Sequence, residues 1–317
     1  MDEEIRVPVY FITGFLESGK TTFLKFTLSQ DYFAMEGKTL LILCEEGEEE
    51  YDKALLERTN TVVEVIEDEE AFTAERMEAL EALHAPSRVI IEYNGMWRVT
   101  RFEEMELPDG WEMMQQITTV DASTFQVYMN NMKSIFMEMV RSTEMVIFNR
   151  CKKGDPLATY RRGIKVANQG AEVIFEDENG EIDNIFEDAM PYDMDAPVID
   201  IAPEDYGLWY VDVMDHPDKY NGKIVKFKGR VRKAAKKNAP YFMPGRPAMT
   251  CCADDVSFIG YACKSEIAPT LKHGQWVEVT ARIGFEKVGP YDEVDMMLYA
   301  ENVQGCEPLE EELVYFN

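Results

Sequence analysis

Solid apolar runs and half-exposed alternation divide the chain into two textures. In the first, short runs without a polar face recur: Val7 to Thr13, Lys38 to Cys44, Thr61 to Ile66, Arg88 to Glu92, Ile117 to Asp121 and Met145 to Asn149. Their length and β-branched content predict strands buried on both faces. Between them lie helical stretches: the residues after Gly19, then Lys53 to Arg58, Ala71 to His84 and Phe125 to Glu144. Asp155-Pro156 is expected to cap and open another helix. Strands alternating with helices predict an α/β fold with a mainly parallel sheet covered by helices. From about residue 195 the runs alternate with period two: Ile224 to Val231, Met249 to Lys264, Trp276 to Ile283 and Val294 to Ala300. Gly, Pro and Asn separate them, which predicts a small C-terminal β-barrel, open, Greek-key and OB-like. Pro191, Pro197 and Pro203 sit among acidic residues and mark a linker. The expected domains are therefore 1–194 and 206–317, joined by 195–205.

The turn between the first strand and the first helix carries chemistry. Residues Gly14-Phe15-Leu16-Glu17-Ser18-Gly19-Lys20-Thr21 fit G-x-x-x-x-G-K-[ST], the phosphate-binding P-loop, in its required strand-turn-helix context. The glycines let backbone N–H groups turn toward phosphate, and the helix N-terminus favours negative charge. Lys20 is expected to reach the β- and γ-phosphates and Thr21 to ligate Mg²⁺. Gly14, Glu17, Ser18, Gly19 and Thr22 complete the expected nucleotide contacts, and GTP or ATP is the expected ligand.

Composition narrows the setting. A chain of 317 residues has room for two domains, and 46% hydrophobic residues exclude wholesale disorder. Sixty acidic against 32 basic residues leave a net charge of −28, which opposes nucleic acid and anionic lipid. Six cysteines do not make a disulfide scaffold at this length. The opening Met-Asp-Glu-Glu-Ile-Arg lacks a signal peptide's basic and apolar regions, and no apolar run is long enough to span a bilayer. A reduced, cytoplasmic protein is expected.

The N-terminal two-thirds resemble the CobW family of P-loop GTPases, which includes metal chaperones and cofactor-assembly factors. Gly14 to Thr22 resembles the family's GFLGSGKTT, Glu45 to Asp52 its EFGxxxxD switch segment, and Ile91-Glu92-Tyr93-Asn94-Gly95 its ExxG form of the Walker B motif. Asn168-Gln169-Gly170-Ala171 sits where the family has NPxA. The region from Phe242 onward, with Met249 to Asp254 and Tyr299 to Val303, resembles the end domain of YcgQ-type proteins, usually encoded with a membrane permease. Three departures bear on function. Glu17 replaces a loop glycine, so its carboxylate either repels nucleotide or points outward. Glu67-Asp68-Glu69-Glu70 stands where the resemblance implies a GCxCC metal motif; a solvated helix start is the alternative. The guanine-reading NKxD is Asn149-Arg150-Cys151-Lys152, and Lys152 offers no acceptor. Asn149 and the Arg150 stem are expected to pack on a purine, with Asp155 acting as a helix cap.

The resemblance implies that Glu92 holds water on Mg²⁺ or orients the attacking water, and that Gly95 supplies an amide to the γ-phosphate. Asp52 is a candidate for positioning that water, against an acidic loop facing solvent. Lys20, Glu92 and Asp52 form the expected catalytic set, with Thr21 and Glu92 on Mg²⁺. A transition-metal site at Cys251 and Cys252 is weighed against a structural role, because adjacent strand residues point to opposite faces. Cys263, Asp254, Asp255 or His273 would have to assist. Basic residues from Lys223 to Lys237 read as a solvated or docking hairpin first, with single-stranded nucleic acid well behind. The scattered His84, His216 and His273 read as structural, and the methionines of the long helix as core. The leading reading is a slow NTP-hydrolysing switch coupled to metal delivery or to assembly of a partner protein. Its rivals are a nucleotide-binding scaffold with little turnover and a nucleic-acid-associated factor. A permease and a second copy of the chain are further candidate partners.

Overall fold

The computed structural model describes residues 7–182, 190–234, 239–249, 256–288 and 293–315. Two compact units emerge, Met1–Leu157 with Gly170–Ile185, and Ala158–Gln169 with Phe186–Asn317.

The first unit is built on β1 (Val7–Thr13), followed by α1 (Lys20–Ser29), β2 (Thr39–Leu43), α2 (Lys53–Arg58) and β3 (Thr61–Val65). Next come α3 (Ala74–His84), β4 (Arg88–Glu92), the short α4 (Thr100–Glu103), β5 (Trp111–Asp121), α5 (Ala122–Arg141) and β6 (Met145–Asn149). After α6 (Leu157–Ala167) come β7 (Glu172–Asp177) and β8 (Gly180–Glu181). The sheet order is β3-β2-β4-β1-β5-β6-β7-β8, parallel throughout except for the β7–β8 hairpin. Strand alternation sends Ile12 and Ile147 to one face, with Leu24, Leu28 and Leu55 of the helices. Phe11 and Phe148 take the other face, where Phe11 stacks on Phe102 at 4.2 Å and Phe148 meets Phe125 at 5.0 Å. With β1 and β4 central and neighbours in the sheet, the loops leaving their C-terminal ends converge. Those loops are the P-loop and the Glu92–Gly95 segment.

The second unit opens with β9 (Ile199–Asp200), α7 (Tyr206–Asp215) and α8 (Pro217–Tyr220). Strands β10 (Ile224–Lys233), β11 (Tyr241–Met249), β12 (Val256–Gly260), β13 (Ala262–Lys264), β14 (Trp276–Val288), β15 (Glu293–Gly305) and β16 (Val314–Tyr315) follow. Five of them close a ring, β10-β11-β13-β15-β14 and back to β10, in which only the β13–β15 pair is parallel. That is the expected OB-like barrel. Its interior is filled by alternate residues such as Val225, Phe227 and Val231 of β10.

Three expectations change here. The expected linker contains β9, which pairs with β10, and Ile199 and Ile201 are buried in the second core. Prolines flank this strand without preventing it. Residues Ala158–Gln169 cluster with the second unit: Val166 packs on its core and Gln169 Nε2 donates to Tyr210 Oη at 2.8 Å. Helix α7 was not foreseen, because it is apolar nearly all round and shows no amphipathic period. Trp209 is its anchor, fully buried against Phe227 at 5.0 Å and Tyr261 at 5.7 Å.

The outward residues of β10 meet partners. Lys226 lies 3.5 Å from Asp200 and 3.6 Å from Glu278, Arg230 lies 3.3 Å from Glu312, and Lys233 Nζ donates to the Pro269 and Leu271 carbonyls. Within this basic run Lys226 and Arg230 thus face carboxylates, while Lys233 is held by neutral carbonyls. Lys236 and Lys237 lie outside the described residues, as do Cys251, Cys252, Asp254 and Asp255.

Candidate nucleotide site

Residues 14 to 20 wrap the end of β1 with two glycines in left-handed or related backbone, Gly14 at φ +136° and Gly19 at φ +98°. Gly19 starts α1 with no side-chain cap, so the first amides of the helix are left for an outside acceptor. Glu17 takes the left-handed conformation too, at φ +60°, where the family has glycine. Its carboxylate turns away from the loop and accepts the Glu48 N–H at 2.9 Å. The expected choice between repulsion and outward pointing therefore falls to the second, with the 45–52 segment as the contact.

Lys20 is buried, and its ammonium donates to the Gly14 carbonyl at 2.8 Å, the Phe15 carbonyl at 3.1 Å and the Glu45 carboxylate. The other oxygen of Glu45 accepts the Gly95 N–H at 3.4 Å. Gly95 must be glycine here, since a Cβ would overlap the Gly14 carbonyl oxygen and lie 2.6 Å from Phe15 Cα. One carboxylate thus occupies both donors expected at a γ-phosphate. The cavity among Lys20, Thr21, Glu45 and Glu92 is about 30 Å³.

Glu92 ends β4 in a buried position. Thr21 Oγ1 donates to its Oε1 at 2.6 Å and Tyr51 Oη to its Oε2 at 2.5 Å. Burial pushes its carboxyl above the ordinary range; the Thr21 and Tyr51 hydrogen bonds and the Lys20 charge oppose this, and Glu45 adds to it. Tyr51, which no motif had marked, is raised by burial and by the Glu92 charge and stays a neutral donor. The Thr21–Glu92 pair fits an Mg²⁺ site in donor type and position, because hard cations take hydroxyl and carboxylate oxygens.

Asn149 and Arg150 brace the loop. Asn149 Nδ2 donates to the Ser18 carbonyl at 2.7 Å, leaving its buried Oδ1 without a partner among the described residues. Arg150 donates to the Glu17 carbonyl at 2.9 Å and pairs with Asp121 at 2.5 Å. Ser18 shares a hydrogen bond with Thr119 at 2.8 Å, and Thr22 lines both the phosphate cavity and a second, larger one.

Other expected groups are employed elsewhere. Asp52 caps α2, accepting the Leu55 N–H at 2.8 Å, and does not line the phosphate cavity; a free helix N-terminus claims the carboxylate. Asp155 accepts the Lys152 N–H at 2.7 Å and closes that turn rather than capping α6 with its side chain. Asp68 caps a single helical turn, and Glu69 faces Arg101 at 3.8 Å. His84 meets Glu64 and His216 meets Asp212. Cys263 lies in the barrel core, with its thiol pushed up to about 12 by burial. Among the described residues, no three His, Cys, Asp or Glu side chains group as a metal site. Of the methionines of the long helix expected in the core, Met137 and Met139 are buried there, whereas Met129 and Met132 are only partly buried.

The parallel sheet, the P-loop and the Thr21–Glu92 pair together define a P-loop nucleotide-binding protein. The chain belongs to the CobW/HypB/UreG family, whose nucleotide-binding domain matches residues 8–175. Residues 178–316 match the DUF1980 C-terminal domain. Among solved structures, Zn(II)-bound YjiA GTPase from E. coli is similar at 18% identity and TM-score 0.42, covering 71% of this chain and 73% of that one. The hydrogenase maturation factor HypB from Archaeoglobus fulgidus is similar at 18% identity and TM-score 0.40, covering 55% and 82%. Over the barrel, the mitochondrial single-stranded DNA-binding protein Rim1 from S. cerevisiae is similar at 10% identity and TM-score 0.20, covering 28% and 100%. No curated protein matches the chain significantly. Among the described residues, no helix is long and apolar enough to cross a membrane.

Proposed function

We propose that the chain is a nucleotide-dependent switch that hydrolyses a nucleoside triphosphate slowly, GTP in preference, and couples its state to metal delivery or to a partner protein. The observation that carries this reading is the Glu45 carboxylate on Lys20 and the Gly95 amide. Glu45 belongs to the 45–52 segment, so an arriving γ-phosphate competes with that segment for the same two donors. Displaced, Glu45 takes the segment with it, and hydrolysis returns it. Exchange between a protein carboxylate and a phosphate is a two-state device of the kind that P-loop switches use.

Phosphoryl transfer needs positioning and charge more than covalent help. Lys20 and the α1 amides hold phosphate oxygens, and Glu92 and Thr21 would hold Mg²⁺, which neutralises charge on the phosphates. Glu92 also orients the attacking water, while Tyr51 holds the carboxylate in place. Turnover is slow because no arginine among the residues lining the phosphate cavity is free: Arg150 is engaged by Glu17 and Asp121. The barrel serves as the docking or delivery module.

The switch reading has a direct test. Glu45→Gln weakens the competitor for Lys20 without changing its shape, so affinity for a non-hydrolysable Mg-triphosphate analogue rises about tenfold. Isothermal titration of the variant beside the unaltered chain checks this. Equal or weaker binding removes Glu45 as the displaced group. A scaffold that binds nucleotide with little turnover is the second reading, favoured by the guarded Lys20.

A further inference from the structure

Beside the phosphate end, the first unit holds a cavity of about 880 Å³ that the phosphate chemistry does not use. Gly19 and Thr22 of the P-loop region form one side, Phe23 and Phe26 another, and Asn149 and Lys152 a third. A base joined through its sugar to phosphates on the P-loop comes to lie here. The position where the family reads guanine with a carboxylate is Lys152, an ammonium with donors only.

Three carboxylates line the opposite wall, at the end of β7 and in the turn after it: Glu176, Asp177 and Glu178. Two are accounted for. Asp177 accepts from the Asn179 N–H at 2.7 Å, and Glu178 is exposed. Glu176 is partly buried, and its side chain has no hydrogen-bond or ion-pair partner among the described residues. Burial, with the Glu181 charge adding to it, pushes its carboxyl up. An unpaired carboxylate in a half-buried wall is costly unless a donor arrives. Its backbone carbonyl accepts the Cys151 N–H at 2.9 Å, which ties the end of β7 to the Asn149–Lys152 loop.

We infer that Glu176 is the base-reading residue of the nucleotide site, replacing the acceptor that Lys152 cannot supply and selecting guanine. The inference rests on the P-loop reading above. Guanine presents N1–H and the exocyclic N2–H side by side, and two parallel donors match the two oxygens of one carboxylate. Adenine presents an acceptor at N1 and cannot pair in that way.

The test uses the full chain with Mg²⁺ and non-hydrolysable analogues of GTP, inosine triphosphate and xanthosine triphosphate. In the unaltered chain, the inosine analogue, which lacks the amine, binds about tenfold more weakly than the GTP analogue. Glu176→Gln offers one acceptor and one donor, which suits xanthine with its N1–H and C2 carbonyl. The ratio of GTP to xanthosine analogue affinity therefore falls by about a hundredfold, chiefly through loss of GTP binding and gain of the xanthine nucleotide. A structural role would weaken all three analogues together. An unchanged ratio in the variant, or equal binding of guanine and inosine analogues by the unaltered chain, overturns the inference while leaving the P-loop reading standing. Binding of no triphosphate by the unaltered chain defeats the P-loop reading itself.

Discussion

Lys20→Ala is expected to weaken binding of a Mg-GTP analogue by at least about a hundredfold, which corresponds to about 2.7 kcal/mol. Among the described residues the ammonium is the one buried cation lining the phosphate cavity, and charge-assisted hydrogen bonds of this kind are the strong ones. In the free protein its three acceptors are the Gly14 and Phe15 carbonyls and Glu45. Truncation strands Glu45 without its counter-ion, so the variant also loses some stability. Lys20→Met keeps the apolar stem, so a loss of affinity common to both variants is due to the missing ammonium rather than to lost packing. Titration calorimetry gives the affinity, and circular dichroism with thermal melting shows whether the fold persists. Unchanged affinity in a folded variant refutes the phosphate assignment.

Glu92→Gln is expected to lower steady-state phosphate release by about a hundredfold or more, with analogue binding kept within a few-fold. The amide has the shape of the carboxylate and still accepts from Thr21 or Tyr51, but it carries no charge toward Mg²⁺ or the attacking water. Both hydrogen bonds that hold the side chain, at 2.6 and 2.5 Å, come from neutral hydroxyls, so the site tolerates the exchange. A malachite-green phosphate assay on both proteins, normalised to bound nucleotide, reads the effect. If the variant retains the rate of the unaltered chain, Glu92 has no part in turnover; if the unaltered chain itself releases no phosphate above background, the scaffold reading takes the place of the enzyme.

What the sequence displayed depended on separation along the chain. The P-loop was legible because its parts lie within eight consecutive residues and each has a local backbone reason. The central strands were legible from apolar runs such as Thr39–Leu43 and Arg88–Glu92, both almost wholly buried. The barrel was legible from alternation, as β10 shows with Val225, Phe227 and Val231 inward. Helix α7 was not, because burial on every side erases the periodicity by which a helix is recognised. The 195–205 segment was misread, since three prolines outweighed the two isoleucines that the second core takes up.

The partners within the site were hidden for a related reason. Lys20 and Glu45 stand 25 residues apart, and Tyr51 and Glu92 stand 41 apart. Only the parallel arrangement of β1, β2 and β4 brings these loops to one edge. Glu176 stands one residue beyond Phe175, the last β7 residue in register with β6, and its nearness to the Asn149–Lys152 loop follows from that register. Sequence spacing does not encode it. Asp52 illustrates the opposite error: a carboxylate at a motif position can be claimed by the nearest helix terminus.

The central claim is that nucleotide state controls the 45–52 segment through Lys20 and Gly95. Hydrogen–deuterium exchange of the full chain, with Mg²⁺ and either a non-hydrolysable GTP analogue or GDP, tests it most directly. The account predicts that exchange across residues 45–52 and 93–97 differs between the two nucleotides, while the P-loop is protected by both. Protection that is the same with both nucleotides in all three segments would contradict it.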